Sequence, residues 1–92
     1  MSAPIKVFSK DPSAVLNYTI DWSKWLASDT ISTSIWTPDT GITVNSNTKT
    51  STTTTVLLSG GTLGTDYNVV NRIVTAAGLT DERTITIQVR EQ

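Results

Sequence analysis

Ninety-two residues, none of them cysteine or histidine, carry seven basic and eight acidic side chains for a formal net charge of −1. That residue set excludes a zinc finger, a disulfide framework, a cysteine nucleophile and a Ser-His-Asp triad. The cations are scattered from Lys6 to Arg90, so the clustered basic track that nucleic acid requires is missing, and no apolar run approaches the length of a membrane span.

The length suits one domain, residues 1–92, around a single hydrophobic core. Eighteen Thr and ten Ser stand out. Threonine is β-branched and favours strands, and its hydroxyl faces water without penalty, so the surplus points to an all-β fold. Met1-Ser2-Ala3-Pro4 shows no charged region followed by an apolar run, so no signal peptide is read, and the lack of cysteine fits folding in a reducing cytoplasm. A charge near zero offers little repulsion between copies, which suits a protein that lives in an assembly.

In chain order, Ile5 to Phe8 reads as a short strand closed by Lys10-Asp11-Pro12-Ser13, where Pro12 bars a helix and biases Asp11 to extended geometry. Residues 1–10 are expected to form an extended arm, free to add a strand to a partner sheet, or an edge strand. From Ala14 to Trp22 the chain alternates, with Leu16, Tyr18, Ile20 and Trp22 on one side. Four large apolar residues on one side make this a core strand. Asp21 to Asp29 breaks the alternation and fits one helical turn capped by Asp21 or Ser23. It reads as a connector between sheets that folds Trp25 or Leu26 over the core edge.

Thr30 to Thr37 is a third strand of ambiguous facing: Trp36 is in phase with Ser32 and Ser34, while Ile31 and Ile35 lie on the other face. It ends at Pro38-Asp39-Thr40-Gly41, a turn signal. Ile42 to Val44 is a short fourth strand, and residues 45–51 read as a polar loop. Thr52 to Leu58 is a fifth, with Val56 and Leu58 on one side and Thr55 and Leu57 on the other, ended by Ser59-Gly60-Gly61.

The last third carries the strongest signal. Tyr67, Val69 and Ile73 share one face of a strand running to Thr75. After a turn around Gly78, Ile85, Ile87 and Val89 share one face of the final strand. Setting Ile73 opposite Ile85 puts Val69 opposite Val89 and makes the two apolar faces coincide. A slip of one residue would put one set in water.

Seven short turn-bounded strands without a helix of consequence predict a two-sheet antiparallel sandwich. Leu63-Gly64-Thr65-Asp66-Tyr67 resembles the tyrosine corner of immunoglobulin-like domains, in which the phenol bonds back to backbone just upstream. Val69 then takes the place of the second core cysteine, and Trp36 stands near that of the core tryptophan. The expected fold is an Ig-like sandwich, with a small jelly roll or other barrel second. Its expected core is Leu16, Tyr18, Ile20, Trp22, Trp36, Leu63, Tyr67, Val69, Ile73, Ile85, Ile87 and Val89.

No constellation carries chemistry. Asp81 and Glu82 are adjacent, but on a strand they point to opposite faces and cannot share a proton; a solvated turn before the last strand is the simpler reading. Ser59-Gly60-Gly61 lacks the Gly-x-Ser-x-Gly spacing of a nucleophile turn and the lysine of a phosphate loop. Asp39, Asn45 and Asn47 offer oxygens without calcium-loop spacing. Catalytic residues, metal ligands and cofactors are therefore expected to be absent. Trp22, Trp25 and Trp36 can be read as a stacking platform for sugar, although core packing is the commoner role of large aromatics in so small a domain. The outward face of the last two strands presents Val70, Arg72 and Val74 beside Thr84, Thr86, Gln88 and Arg90. With the tip residues Ala76, Ala77 and Leu79, and with Trp25, it is the candidate partner interface. The plainer alternative is that exposed Val and Thr are ordinary on a sheet.

Taken together, Asp11 to Trp22 followed by Trp25-Leu26, then Leu58 to Tyr67, Thr75-Ala76-Ala77-Gly78 and Thr80-Asp81-Glu82-Arg83 resemble a family of small tailed-bacteriophage proteins of the fibre–tail adaptor type. The resemblance runs from Asp11 to Arg90. It implies a non-enzymatic, Ig-like component of the virion, made in the host bacterial cytoplasm and present in symmetric copies. Its partners would be other virion proteins of tail, neck or fibre, with neither nucleic acid nor membrane. A capsid decoration or head-fibre protein is the alternative placement, and a carbohydrate-binding module the alternative of another class.

Overall fold

The computed structural model describes residues 4–91, and of Pro4 and Ile5 the backbone alone. Its elements are β1 (Pro4–Lys10), β2 (Leu16–Asp21), α1 (Ser23–Leu26), β3 (Ile31–Pro38), β4 (Ile42–Lys49), β5 (Thr53–Gly60), β6 (Asp66–Thr75) and β7 (Thr80–Val89). They make two sheets, ordered β1-β7-β6-β3 and β2-β5-β4. Strand pairs are antiparallel except β1 with β7, which is parallel. Residues 4–10 thus pair within the chain rather than standing free as an arm, because β7 offers them its outer edge; residues 1–3 lie outside the described residues.

Between the sheets lies one apolar cluster containing Tyr18, Ile20, Trp22, Trp36, Tyr67, Val69, Ile73, Ile85, Ile87 and Val89. Leu26, Ile31, Ile42, Val56 and Leu58 complete it, with Phe8 and Val44 half-buried against it. Two expected core residues stand outside. Leu16 keeps the inward phase of Tyr18 and Ile20, but it is the first residue of β2, at the rim, and is 40% exposed. Leu63 sits in the turn closed by the Thr65 N–H on the Thr62 carbonyl, outside any strand, and is 52% exposed.

The β6–β7 register differs from the expected one by four residues. Val69 faces Ile85, Tyr67 faces Ile87, and Ile73 faces Asp81. An even slip preserves which face each side chain takes, so both apolar sets still point inward. The cause is the tightness of the turn. Thr75 N–H donates to the Leu79 carbonyl at 2.8 Å, and Gly78 takes the left-handed φ of +89° that such a loop needs. Pairing therefore begins at Thr80, and Asp81 and Glu82 belong to β7 instead of to a turn before it.

β3 resolves its own ambiguity with a bulge. Its pairing with β6 shifts between Ile31 and Thr33, so Ile31 and Trp36, five residues apart, are both buried, while Ile35 is 58% exposed. A bulge adds one residue to one strand and inverts the alternation beyond it. Another bulge, between Val44 and Ser46, lets β4 continue to Lys49 through the stretch expected to be a loop.

Candidate docking interface

The outer face of the four-stranded sheet is built by the alternation of β6 and its neighbours. Arg72 lies between Ile35 of β3 and Glu82 of β7. Val70 lies between Thr37 and Thr84, and Val74 between Thr33 and Thr80. Val70 and Val74 are half-buried, and Ile35 and Arg72 stand exposed between them. Ile35 is the apolar residue of this face that the sequence did not place there, because period-2 counting through β3 is blind to the bulge.

At one end of this face the β6–β7 turn presents Ala76, Ala77 and Leu79 to solvent, Leu79 at 58%. The turn is tied to the chain that leads into β3. Ala76 N–H donates to the Thr30 carbonyl at 2.9 Å, and Ala77 N–H to the Asp29 carboxylate at 3.3 Å. α1 sits at the same end. Asp21 Oδ1 accepts the Ser23 N–H at 2.9 Å from one residue before the cap position, which Trp22 occupies without a side-chain bond. That bond holds the Asp21 carboxyl below the ordinary range. Leu26 turns inward, and Trp25, 37% exposed, meets the Trp22 ring edge-on at 5.7 Å.

Beneath the face, a buried polar network holds five strands in place. Asn71 Nδ2 donates to Ser34 Oγ at 2.9 Å and to the Ile35 carbonyl at 3.1 Å. Its Oδ1 accepts Trp22 Nε1–H at 3.1 Å and the Thr54 hydroxyl at 2.6 Å. Arg83 lies 4.2 Å over the Trp22 ring and donates to the Asp21 carbonyl at 3.2 Å. A buried polar group with all its bonds made rigidifies its surroundings, so the outer face rests on a stiff base. Asn71 is in phase with Val69 and Ile73, and that phase was the signal for its burial.

The other expected sites resolve into structure. Trp22 is fully buried and Trp36 nearly so, so the three tryptophans do not share an exposed platform. Asp39 Oδ2 accepts the Asn68 N–H at 2.8 Å, and Asn45 Oδ1 accepts the Ser59 hydroxyl at 2.8 Å. Among the described residues no group of three or more Asp or Glu is placed to hold a metal ion, and no helix is long and apolar enough to cross a membrane.

No curated protein matches the chain. Among solved structures, the solution structure of the PKD domain from the KIAA 1837 protein is similar over 100% of this chain and 85% of that one, with 16% identity and a TM-score of 0.56. At that identity the likeness speaks for the fold alone, an Ig-like β-sandwich. Residues 10–88 match the profile of the podophage GP4 fiber-tail adaptor protein gp77, and the chain belongs to that family.

Proposed function

We propose that the chain is a single Ig-like domain that docks a fibre or accessory protein to the tail or neck of a phage particle through the outer face of its four-stranded sheet. One observation carries the reading: Ile35, Val70 and Val74 flank Arg72 on three sides, with Glu82 on the fourth, on a face stiffened from below by the Asn71 network. An apolar patch centred on an arginine is the composition that protein interfaces favour, and a rigid base limits the ordering cost of binding. Leu79, Ala76, Ala77 and Trp25 extend the contact at the α1 end. A residue set without histidine or cysteine supports a role free of catalysis, with other virion proteins as partners.

The test is particle assembly with the double variant Ile35→Asp, Arg72→Glu. Both side chains are solvent-facing, so circular dichroism should be unchanged while purified particles lose the chain. Wild-type incorporation of a folded variant would refute the docking face. Copy number separates the placements: about six or twelve per particle fits a tail, and hundreds would mean a capsid decoration protein.

A further inference from the structure

Two sheets leave four edge strands, β1 and β3 in one and β2 and β4 in the other. An open edge recruits another strand unless something blunts it, commonly a proline, a bulge or a charge pointing inward. Three of the four carry such devices. β1 begins at Pro4, shifts register between Pro4 and Lys6, and sets Lys6 opposite Ile85 in the inward phase. β3 has its bulge and ends on Pro38. β4 has its bulge and sets Lys49 opposite buried Thr54, again a charge in the inward phase.

β2 has none of these. Its register with β5 is unbroken from Leu16 to Asp21, and its inward residues are Leu16, Tyr18 and Ile20. Trp22 N–H donates to the Thr52 carbonyl at 2.9 Å, which sets the phase of the ladder. Leu16, Tyr18, Ile20 and Trp22 turn their backbone groups to β5, so Asn17, Thr19 and Asp21 turn theirs to the open side. Among the described residues no strand pairs with that side, and Val15 and Leu16 stand exposed beside it.

We propose that the open edge of β2 is a self-association site, occupied by β2 of a second copy of this chain, antiparallel about a two-fold axis at Tyr18. The strand is self-complementary. Leu16-Asn17-Tyr18-Thr19-Ile20 keeps its apolar–polar order when read from either end, as an isologous contact requires. Centred on Tyr18, the pairing sets Leu16 opposite the partner's Ile20 and Asn17 opposite the partner's Thr19, the latter exchanging the free backbone bonds. Asp21, the charge of the strand, falls opposite the partner's Val15 and not opposite its own twin. The Tyr18 hydroxyl, buried without a hydrogen-bond partner among the described residues, comes alongside the partner's Tyr18. Apart from Asp21, the outer face that β2 and β5 build is neutral, carrying Asn17, Thr19, Thr53, Thr55, Leu57 and Ser59. This contact requires no virion protein, so it stands or falls separately from the docking role.

Sedimentation equilibrium of the full chain, from about 1 µM to about 1 mM, tests it. The expected species is a dimer of the 9.9 kDa chain. Leu16→Lys gives β2 the inward-phase charge that β1 and β4 already have. Thr19→Pro removes an N–H that faces the open edge and leaves the β5 ladder whole. Each should weaken association at least tenfold while retaining the β-sheet circular dichroism spectrum, and Thr43→Lys, on the far edge strand, should leave it unchanged. If Thr19→Pro unfolds the chain, Leu16→Lys alone decides. A wild-type chain that stays monomeric throughout, folded β2 variants that dimerise normally, or a dimer broken by Thr43→Lys would overturn the proposal.

Discussion

The β6–β7 ribbon ends differently at its two extremities. At the Tyr67 end, side chains close the backbone. Tyr67 Oη accepts the Thr62 N–H at 2.9 Å, and the ring lies against Gly41 and Gly61, at φ of +109° and +97°. Lys10, fully buried, donates from Nζ to the Gly60 carbonyl at 2.7 Å and the Asp11 carbonyl at 2.8 Å, and burial lowers its pKa. At the α1 end a polar network is buried and the surface above it is apolar: Trp25, Ala76, Ala77 and Leu79 face water. One end fixes the geometry of the sandwich, and the other combines a fixed interior with a surface suited to a partner. Rigidity and the proposed recognition surface therefore sit on the same two strands without competing for the same residues.

Substitutions can break this comparison or sharpen it. The largest effect is expected at the α1 end from Trp22→Ala, which empties a fully buried site, leaves Asn71 Oδ1 with the Thr54 hydroxyl alone and removes the ring beneath Arg83. Urea unfolding followed by circular dichroism should show a loss of about 3–5 kcal/mol. At the opposite end, Gly41→Ala places a Cβ 2.7 Å from Tyr67 Cε1 at a φ that favours glycine. It should cost about 3 kcal/mol in the same assay. Tyr67→Phe keeps the ring, removes the hydroxyl with its bond from the Thr62 N–H, and should cost about 1 kcal/mol. If it costs as much as Gly41→Ala, the hydroxyl rather than the ring's fit organises the corner.

Leu79→Ser is expected to stay within about 0.5 kcal/mol of wild type, while binding to partner-coated surfaces falls. A large loss of stability would make Leu79 structural and end the contrast between a rigid end and a recognition end. Asp21→Asn probes the weakest contribution. The folded pKa of Asp21 is depressed by its bond from Ser23 N–H. Its stabilisation is therefore present above the unfolded carboxyl pKa and lost as pH falls through the folded one. Thermal melts taken from about pH 6 down to about pH 2 should show a shallower acid limb for the variant.

Legibility followed the range of the physics. The inward faces of β2, β6 and β7 were readable because side-chain alternation belongs to a single pleated strand. The Tyr67 corner was readable because glycines and a tyrosine lie within one short run. Ile35 and the true extent of β4 were not, because each depends on a bulge, and a bulge changes phase without changing composition. The proposed docking set Val70, Arg72 and Val74 could be placed on one face from β6 alone. Its fourth member, Ile35, needed the pairing with β3.

By itself, the amino-acid order determined that this chain is all β, that most of its turns fall at Pro or Gly, and which side of most strands is apolar. Tertiary structure decided the β6–β7 register, the parallel partner of β1, the exposure of Leu16 and Leu63, and the burial of Asn71, Thr54 and Lys10. The reason is physical. Facing is set by neighbours two residues apart, whereas burial at a strand end and the pairing of an edge depend on what the opposite sheet and the next strand bring near.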